Sequence, residues 1–378
     1  MKLHLATVFV LLFVVTAAGL AESKPIDKVV LSNGKQLHFR IVDGRKDDII
    51  LFESGGGDDV RVWNDLLPTI SQTTGATLIT YDRPGFGESE VDPEHHGLLA
   101  DMERLEEGLK ELGYRGPYTL VAHSVGGFYA TLFASRHPPQ VKAAVLIDEN
   151  LACYFTDAFL PTIRSSPESL TKNKAESLGR YYFSLDYEPM ALAMRQVQFP
   201  ASIPLIDFVA GRRPFPTPED GERWRSCHTA FAAEVANRTE IVAYGAPHYI
   251  YRSNPSLIVA AIVAAHATGR GEVRPELMYF VSALNDLKRQ TESGAHSENG
   301  LNQWGYDLLR SGRKSEAVKV FELIVALYPE SSNAWDSLGE GYEGVNDVVA
   351  ARKSYGNAVA KDPGAKHAAE RLRALGQE

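Results

Sequence analysis

The stretch TLVAHSVGGFYA, residues 119–130, places Ser124 between an apolar run that reads as a buried strand and one that reads as a buried helix. Two roles fit a hydroxyl there. It can cap the helix, or it can be a nucleophile on a turn so tight that the positions two before and two after it tolerate little side chain. Ala122 and Gly126 occupy those positions, with Gly127 next. The chemistry of the second role is acyl transfer. A serine hydroxyl is a weak nucleophile at neutral pH and needs a base within hydrogen-bond reach, and the developing oxyanion needs preorganised N–H donors. A second glycine-rich stretch, Glu53-Ser54-Gly55-Gly56-Gly57, would let a backbone approach a substrate closely, or it is a plain turn. Metal chemistry is not implied, because there is no His-Glu-x-x-His and no clustered Cys/His spacing. The three glycines lack the lysine and spacing of a phosphate-binding loop, so no cofactor is expected.

These residues need a frame that brings them together. After a hairpin signal at Asn33-Gly34, apolar runs at 49–52, 76–81, 118–122 and 141–147 read as buried strands. Between them lie helical patterns, with Val62, Leu66 and Ile70 in step and an amphipathic run over 98–112. Strands apolar on both faces that alternate with helices predict an α/β fold with a mostly parallel sheet covered on both sides. Ligands bind beyond the carboxyl ends of such strands, and Gly55, Asp82, Ser124 and Asp148 all fall there. Residues 150–200 break the alternation. Their two aromatic-rich stretches, 152–166 and 179–196, are expected to be helical and to form a cap over the sheet end. The strand pattern resumes at 203–211 and 239–248, with a helix expected around Arg223 to Val235 between them, and a helix over 254–267 closes the domain, expected at 25–270.

The pattern at Ser124, the glycine run after one strand and Asp82-Arg83-Pro84-Gly85-Phe86-Gly87-Glu88-Ser89 after the next resemble the α/β-hydrolase family over about residues 28–270. The usual glycine of the elbow is Ala122 here, and the histidine common in the first loop is Ser54. The resemblance implies that Val125 and Gly56 supply the oxyanion N–H groups and that a histidine after the last strand is the base. Among eleven histidines, His248 in GAPHYIY has that place, whereas His95, His96 and His228 do not. The acid usually follows the second-last strand, but that loop, Gly211-Arg212-Arg213-Pro214, carries no carboxylate at the expected offset. Some relatives carry it one strand earlier, which points to Asp148. Glu219 and Asp220 are the alternatives, and Asp207 is read as turned into the strand's surroundings. The implied enzyme is a serine hydrolase of carboxylic esters, with prolyl-type peptidase or amidase as the alternative on the same fold. Tyr154, Phe155, Tyr181, Tyr182 and Phe183 suggest an apolar acyl or aryl group, or are only the core of the cap.

The rest of the 378-residue chain bears on delivery and partners. Residues 1–21 have the positive start, the short apolar core and the Gly19-Leu20-Ala21 cleavage site of a secretory signal, so export is expected, with no membrane span left after cleavage. Cys153 and Cys227 could pair in an exported protein or stay as separate buried thiols. A net charge of −9 argues against nucleic acid as a partner. Over 298–331 and 332–365 the chain repeats at an offset of 34, pairing Gly305 with Gly339, Ala317 with Ala351, Phe321 with Tyr355 and Pro329 with Pro363. This resembles the tetratricopeptide repeat and implies a helical module over 274–378 that binds a protein partner. A rival reading follows: a catalytically idle hydrolase fold serving a binding module.

Overall fold

The computed structural model describes residues 24–271, 281, 298–312 and 314–376. The expected leader at 1–21 and most of the first part of the helical module expected over 274–378, up to residue 297, lie outside them. Asn33 and Gly34 take positive φ angles of 51° and 72°, as a two-residue hairpin requires. They join β1 (Ile26–Ser32) to β2 (Lys35–Val42) with Ser32 opposite Lys35. Six further strands follow: β3 (Arg45–Glu53), β4 (Ala76–Tyr81), β5 (Tyr118–His123), β6 (Val141–Ile147), β7 (Leu205–Ala210) and β8 (Arg238–Ala243). They form one sheet in the order β1-β2-β4-β3-β5-β6-β7-β8. The β1/β2 and β2/β4 pairs are antiparallel and the rest are parallel. Every residue of β4, β5 and β7 is buried, as strands covered on both faces must be.

Helices supply that cover. On one face α1 (Leu67–Thr74) and α8 (Pro255–Gly269) pack on Phe52, Val121, Val145 and Phe208. On the other, α2 (Leu98–Glu111) and α3 (Gly126–Arg136) pack on Leu51, Leu120 and Leu146. The helical spacing of Val62, Leu66 and Ile70 is split by Asp59, which caps a short 3-10 turn, and by Pro68 in the first turn of α1.

The cap corrects one expectation. Residues 152–166 form two 3-10 turns, Ala152–Tyr154 and Leu160–Ile163, instead of a helix. Pro161 brings no N–H, and Ser166 before Pro167 is held extended. Only then come α4 (Pro167–Glu176) and α5 (Leu178–Ala193). Helix α5 crosses the loop after β4 so closely that a Cβ on Gly179 would lie 1.8 Å from the Gly85 carbonyl oxygen. That glycine contact sets the cap against the sheet end.

Between β7 and β8 lies α6 (Pro218–Ala233), and a single turn, α7 (Ile250–Ser253), precedes α8. The C-terminal region is helical: α9 (Glu298–Arg310), α10 (Lys314–Leu327), α11 (Ser332–Gly344), α12 (Val348–Lys361) and α13 (Lys366–Ala374). The 34-residue offset has a packing cause. A Cβ on Gly305 would meet the Phe321 ring at 2.4 Å, and one on Gly339 would meet Tyr355 at 2.5 Å. Helices α9, α10 and α11 share a core with α1 and α8, and Tyr328 bonds Ser256 at 3.0 Å, while α12 and α13 bury Ala351, Tyr355, Ala358 and Ala368 in a cluster of their own. Among the described residues no helix is long and apolar enough to cross a membrane.

Candidate active site

The carboxyl ends of β3, β5, β6, β7 and β8 converge on one place. Ser124 follows β5 directly and lies two residues before α3. It has a φ of 55°, a left-handed conformation costly for a residue with a side chain. The turn is possible because Gly126 has no side chain: a Cβ there would sit 2.5 Å from the Glu53 carbonyl oxygen. The Ser124 carbonyl accepts from the N–H groups of Gly127 and Asn150, at 3.0 and 2.8 Å. The hydroxyl is thereby lifted clear of the sheet. His248 Nε2 lies 3.0 Å from Ser124 Oγ. His248 Nδ1 lies 2.5 Å from Oδ2 of Asp148, so Nδ1 carries the proton and Nε2 faces the hydroxyl as an acceptor.

Asp148 also has a left-handed φ, 45°, and is fully buried. Its Oδ1 accepts from the Ala210 N–H and from Trp224 Nε1, each at 3.0 Å. Its Oδ2 accepts from His248 and from Arg213 at 3.0 Å. Burial pushes this carboxyl up, but the His248 hydrogen bond and the Arg213 charge outweigh burial and hold it down at about 2. It is therefore ionised at any pH near neutral.

The structure thus brings together Ser124, His248 and Asp148. Of the alternatives, Asp220 sits in the first turn of α6 on Thr217 and Arg223, with Glu219 beside it. Asp207 is buried against His228 at 2.9 Å. Gly56 lies between Val125 and the cap: a Cβ on it would stand 3.5 Å from a Val125 methyl and 3.0 Å from the Phe183 ring. The cap aromatics divide accordingly. Tyr154 and Phe155 are buried against Phe159, Trp224 and Phe128 and are core. Tyr181, Tyr182 and Phe183 are partly exposed, and Phe183 is the one over the glycine loop. Beside it lies a small pocket of about 20 Å³ lined by Phe86, His96, Asp101, Tyr182, Phe183 and Asp186.

Sequence reasoning missed four supporting residues. Arg83, fully buried, donates to the carbonyl oxygens of Ser54 (2.5 Å) and Gly55 and pins the glycine loop. His123 stacks 4.5 Å from the His248 ring, and its Nε2 donates to the His248 carbonyl at 3.1 Å. Burial, then the nearby His248, pushes His123 down to about 3, so it stays neutral. Trp224 and Arg213 hold Asp148. A buried residue in the HSV elbow was the available signal for His123; the others give none. Cys153 and Cys227, left open in the sequence, are joined by a disulfide with Cα atoms 5.7 Å apart. That bond ties the chain just after Asp148 to the helix carrying Trp224. Among the described residues, two separate clusters each bring three potential metal-ligating atoms within 4.8 Å of one another: buried Glu149, Asp207 and His228, and the more exposed Asp336, Glu340 and His367.

Comparison with known proteins bears on the fold that carries this site. Residues 48–185 match a family model described as alpha/beta hydrolase fold. Protein YqjL of Bacillus subtilis, itself uncharacterized, is 25% identical over 237 residues, 63% of this chain and 90% of YqjL. The (lyso)-N-acylphosphatidylethanolamine lipase of Bos taurus is 34% identical over 99 residues, 25% of this chain and 28% of the lipase. The bifunctional biotin biosynthesis protein BioHC of Teredinibacter turnerae is 32% identical over 108 residues, 27% of this chain and 17% of BioHC. The chain thus spans under a third of the last two. Among solved structures, a delta mutant of DbjA superposes with a TM-score of 0.51 at 16% identity, covering 65% of this chain and 99% of that one. An AqdC variant in complex with its substrate, the Pseudomonas quinolone signal, superposes with a TM-score of 0.52 at 16% identity, covering 64% and 100%. Together with the sheet order, these likenesses support the α/β-hydrolase fold.

Proposed function

We propose that this chain is an exported serine hydrolase that cleaves a carboxylic ester, or a related acyl bond, through a covalent acyl-enzyme. The observation that carries the reading is the unbroken path from Ser124 Oγ through His248, 3.0 Å and 2.5 Å, to an ionised Asp148. Ser124 attacks the carbonyl carbon while His248 Nε2 takes its proton. Asp148 holds the Nδ1 proton and stabilises the imidazolium that forms. The amides of Gly56 and Val125 hold the oxyanion, at the N-terminal end of α3. The tetrahedral adduct collapses, and His248 returns the proton to the departing alcohol. Water, deprotonated by His248, then repeats the sequence and releases the acid and free Ser124.

Phe183 lies over Gly56, which supports an apolar or aryl acyl chain held against the cap. The leader at 1–21 and the Cys153–Cys227 bond support delivery to an oxidising compartment, and the C-terminal repeats would carry a protein partner. Turnover of short-chain and aryl nitrophenyl esters, with prolyl anilides alongside, tests the reaction class. Ester hydrolysis with a burst of about one nitrophenol per chain is expected. Cleavage of anilides alone would move the reading to a peptidase.

A further inference from the structure

The loop after β7 lacks the expected acid and supplies a cation in its place. We infer that Arg213 is a positioning residue that shares the Oδ2 oxygen of Asp148 with His248 and so fixes how much of the carboxylate charge His248 receives. The inference rests on the serine hydrolase reading and deepens it by assigning control of the base.

The geometry is a closed set of contacts. Oδ1 of Asp148 is occupied by Ala210 N–H and Trp224 Nε1, which leaves Oδ2 for His248 at 2.5 Å and the Arg213 guanidinium at 3.0 Å. The Arg213 guanidinium lies 4.0 Å over the Trp224 ring and 5.2 Å from Phe215. One indole therefore donates to one oxygen of Asp148 and supports the cation on the other. The loop itself is fixed, because Gly211 N–H donates to Ala243 O at 3.0 Å and Arg212 N–H to Ala246 O at 2.9 Å. The Arg213 side chain is one-fifth exposed while Asp148 is buried, so their charges are only partly screened.

An arginine cannot give up its proton. When His248 becomes imidazolium during catalysis, two cations share one carboxylate oxygen. The second cation disfavours proton uptake, and His248 works as a base to lower pH than a plain aspartate–histidine pair would allow. The other groups facing the pair are accounted for. His123 from β5 is neutral. Asp58, from the loop after β3, lies 3.9 Å from His123 Nδ1. Tyr249 stands 5.4 Å from the His248 ring, with Arg252 4.3 Å over Tyr249. Glu149, Asp207 and His228 are buried and face one another, with His228 Nδ1 2.9 Å from Asp207 and 3.9 Å from Glu149.

The test titrates His248 by NMR, and in parallel measures the rate of fluorophosphonate labelling against pH, in the full chain, Arg213→Met and Arg213→Lys. Removal of the charge is expected to move the His248 titration and the acid limb of labelling up by roughly one pH unit. Lysine keeps the charge and is expected to stay within about 0.3 unit of the unaltered chain, which a purely structural role for the guanidinium would not produce. An Arg213→Met profile that overlays the unaltered one, or an Arg213→Lys profile displaced as far as the methionine variant, overturns the inference. Absence of labelling in the unaltered chain overturns the hydrolase reading instead, and the NMR titration still decides the role of Arg213.

Discussion

Two aspartate–histidine contacts stand on neighbouring strands of this sheet. Asp148 meets His248 at 2.5 Å after β6, and Asp207, on β7, meets His228 at 2.9 Å. Their surroundings differ in three ways. Asp148 receives four donors and is held ionised, whereas Asp207 lies in a dry cluster with Glu149, where burial pushes both carboxyls well above their ordinary range. The His248 side chain is one-quarter exposed and its second nitrogen faces a serine, whereas His228 is wholly buried in the core. Asp148 also sits on left-handed backbone, which the rest of the sheet end must hold in place. An aspartate–histidine contact is therefore not a site in itself. Donors that keep the acid charged, a path to solvent and a third group in line distinguish the two.

The largest expected effect separates the pairs by function. Asp148→Asn is expected to lower ester turnover by about 10⁴-fold with the fold intact, because the asparagine favours the wrong imidazole tautomer. Asp207→Asn is expected to keep turnover within roughly tenfold while moving the melting temperature, since it alters only packing and charge in the core. Steady-state rates and thermal melts of both variants check this. A folded Asp207→Asn chain without turnover would break the comparison.

The pairs also carry opposite pH signatures. Asp148 has a folded pKa below its ordinary 3.8, so its contribution to stability is complete above that value and is lost as pH falls towards about 2. Glu149 and Asp207 have raised values, so the folded state holds their protons longer than the unfolded chain does. Their contribution is complete at low pH and declines as pH rises above their ordinary 4.5 and 3.8. Denaturant unfolding from pH 2 to 8 should show both arms. Asp207→Asn should flatten the upper arm and leave the lower one unchanged.

A smaller effect sharpens the role of the indole. Trp224→Phe keeps a ring beneath Arg213 but removes the donor to Asp148 Oδ1, and is expected to cost about 1–3 kcal/mol of stability. Turnover should fall only several-fold, as His248, Arg213 and the Ala210 amide still hold the carboxylate. Chemical denaturation beside steady-state rates measures both.

What was legible in the sequence follows from how local each signal is. The Asn33-Gly34 hairpin, the buried strands and the Ser124 elbow are written in runs of a few residues, because backbone conformation and side-chain alternation are short-range properties. His248 was legible through chain order on a resembling fold. Asp148 was legible only because Gly211 to Pro214 offered no carboxylate. The 3-10 turns over 152–166 were misread because the aromatic spacing suggested a helix, while Pro161 and Pro167 decided the backbone. Arg83, Trp224 and Arg213 were not legible at all. Their partners lie 29, 76 and 65 residues away in the chain, and nothing near any of the three marks the contact. The closeness of Gly85 to Gly179, which sets the cap, is of the same kind.

The most direct test of the central claim is covalent labelling of the full chain by a fluorophosphonate, with Ser124→Ala and His248→Ala beside it. The account predicts one label per native chain, placed on Ser124, none on Ser124→Ala, and labelling slowed by at least about 100-fold in His248→Ala. A well-folded native chain that takes no label, or a Ser124→Ala chain that labels as the native one does, would contradict it.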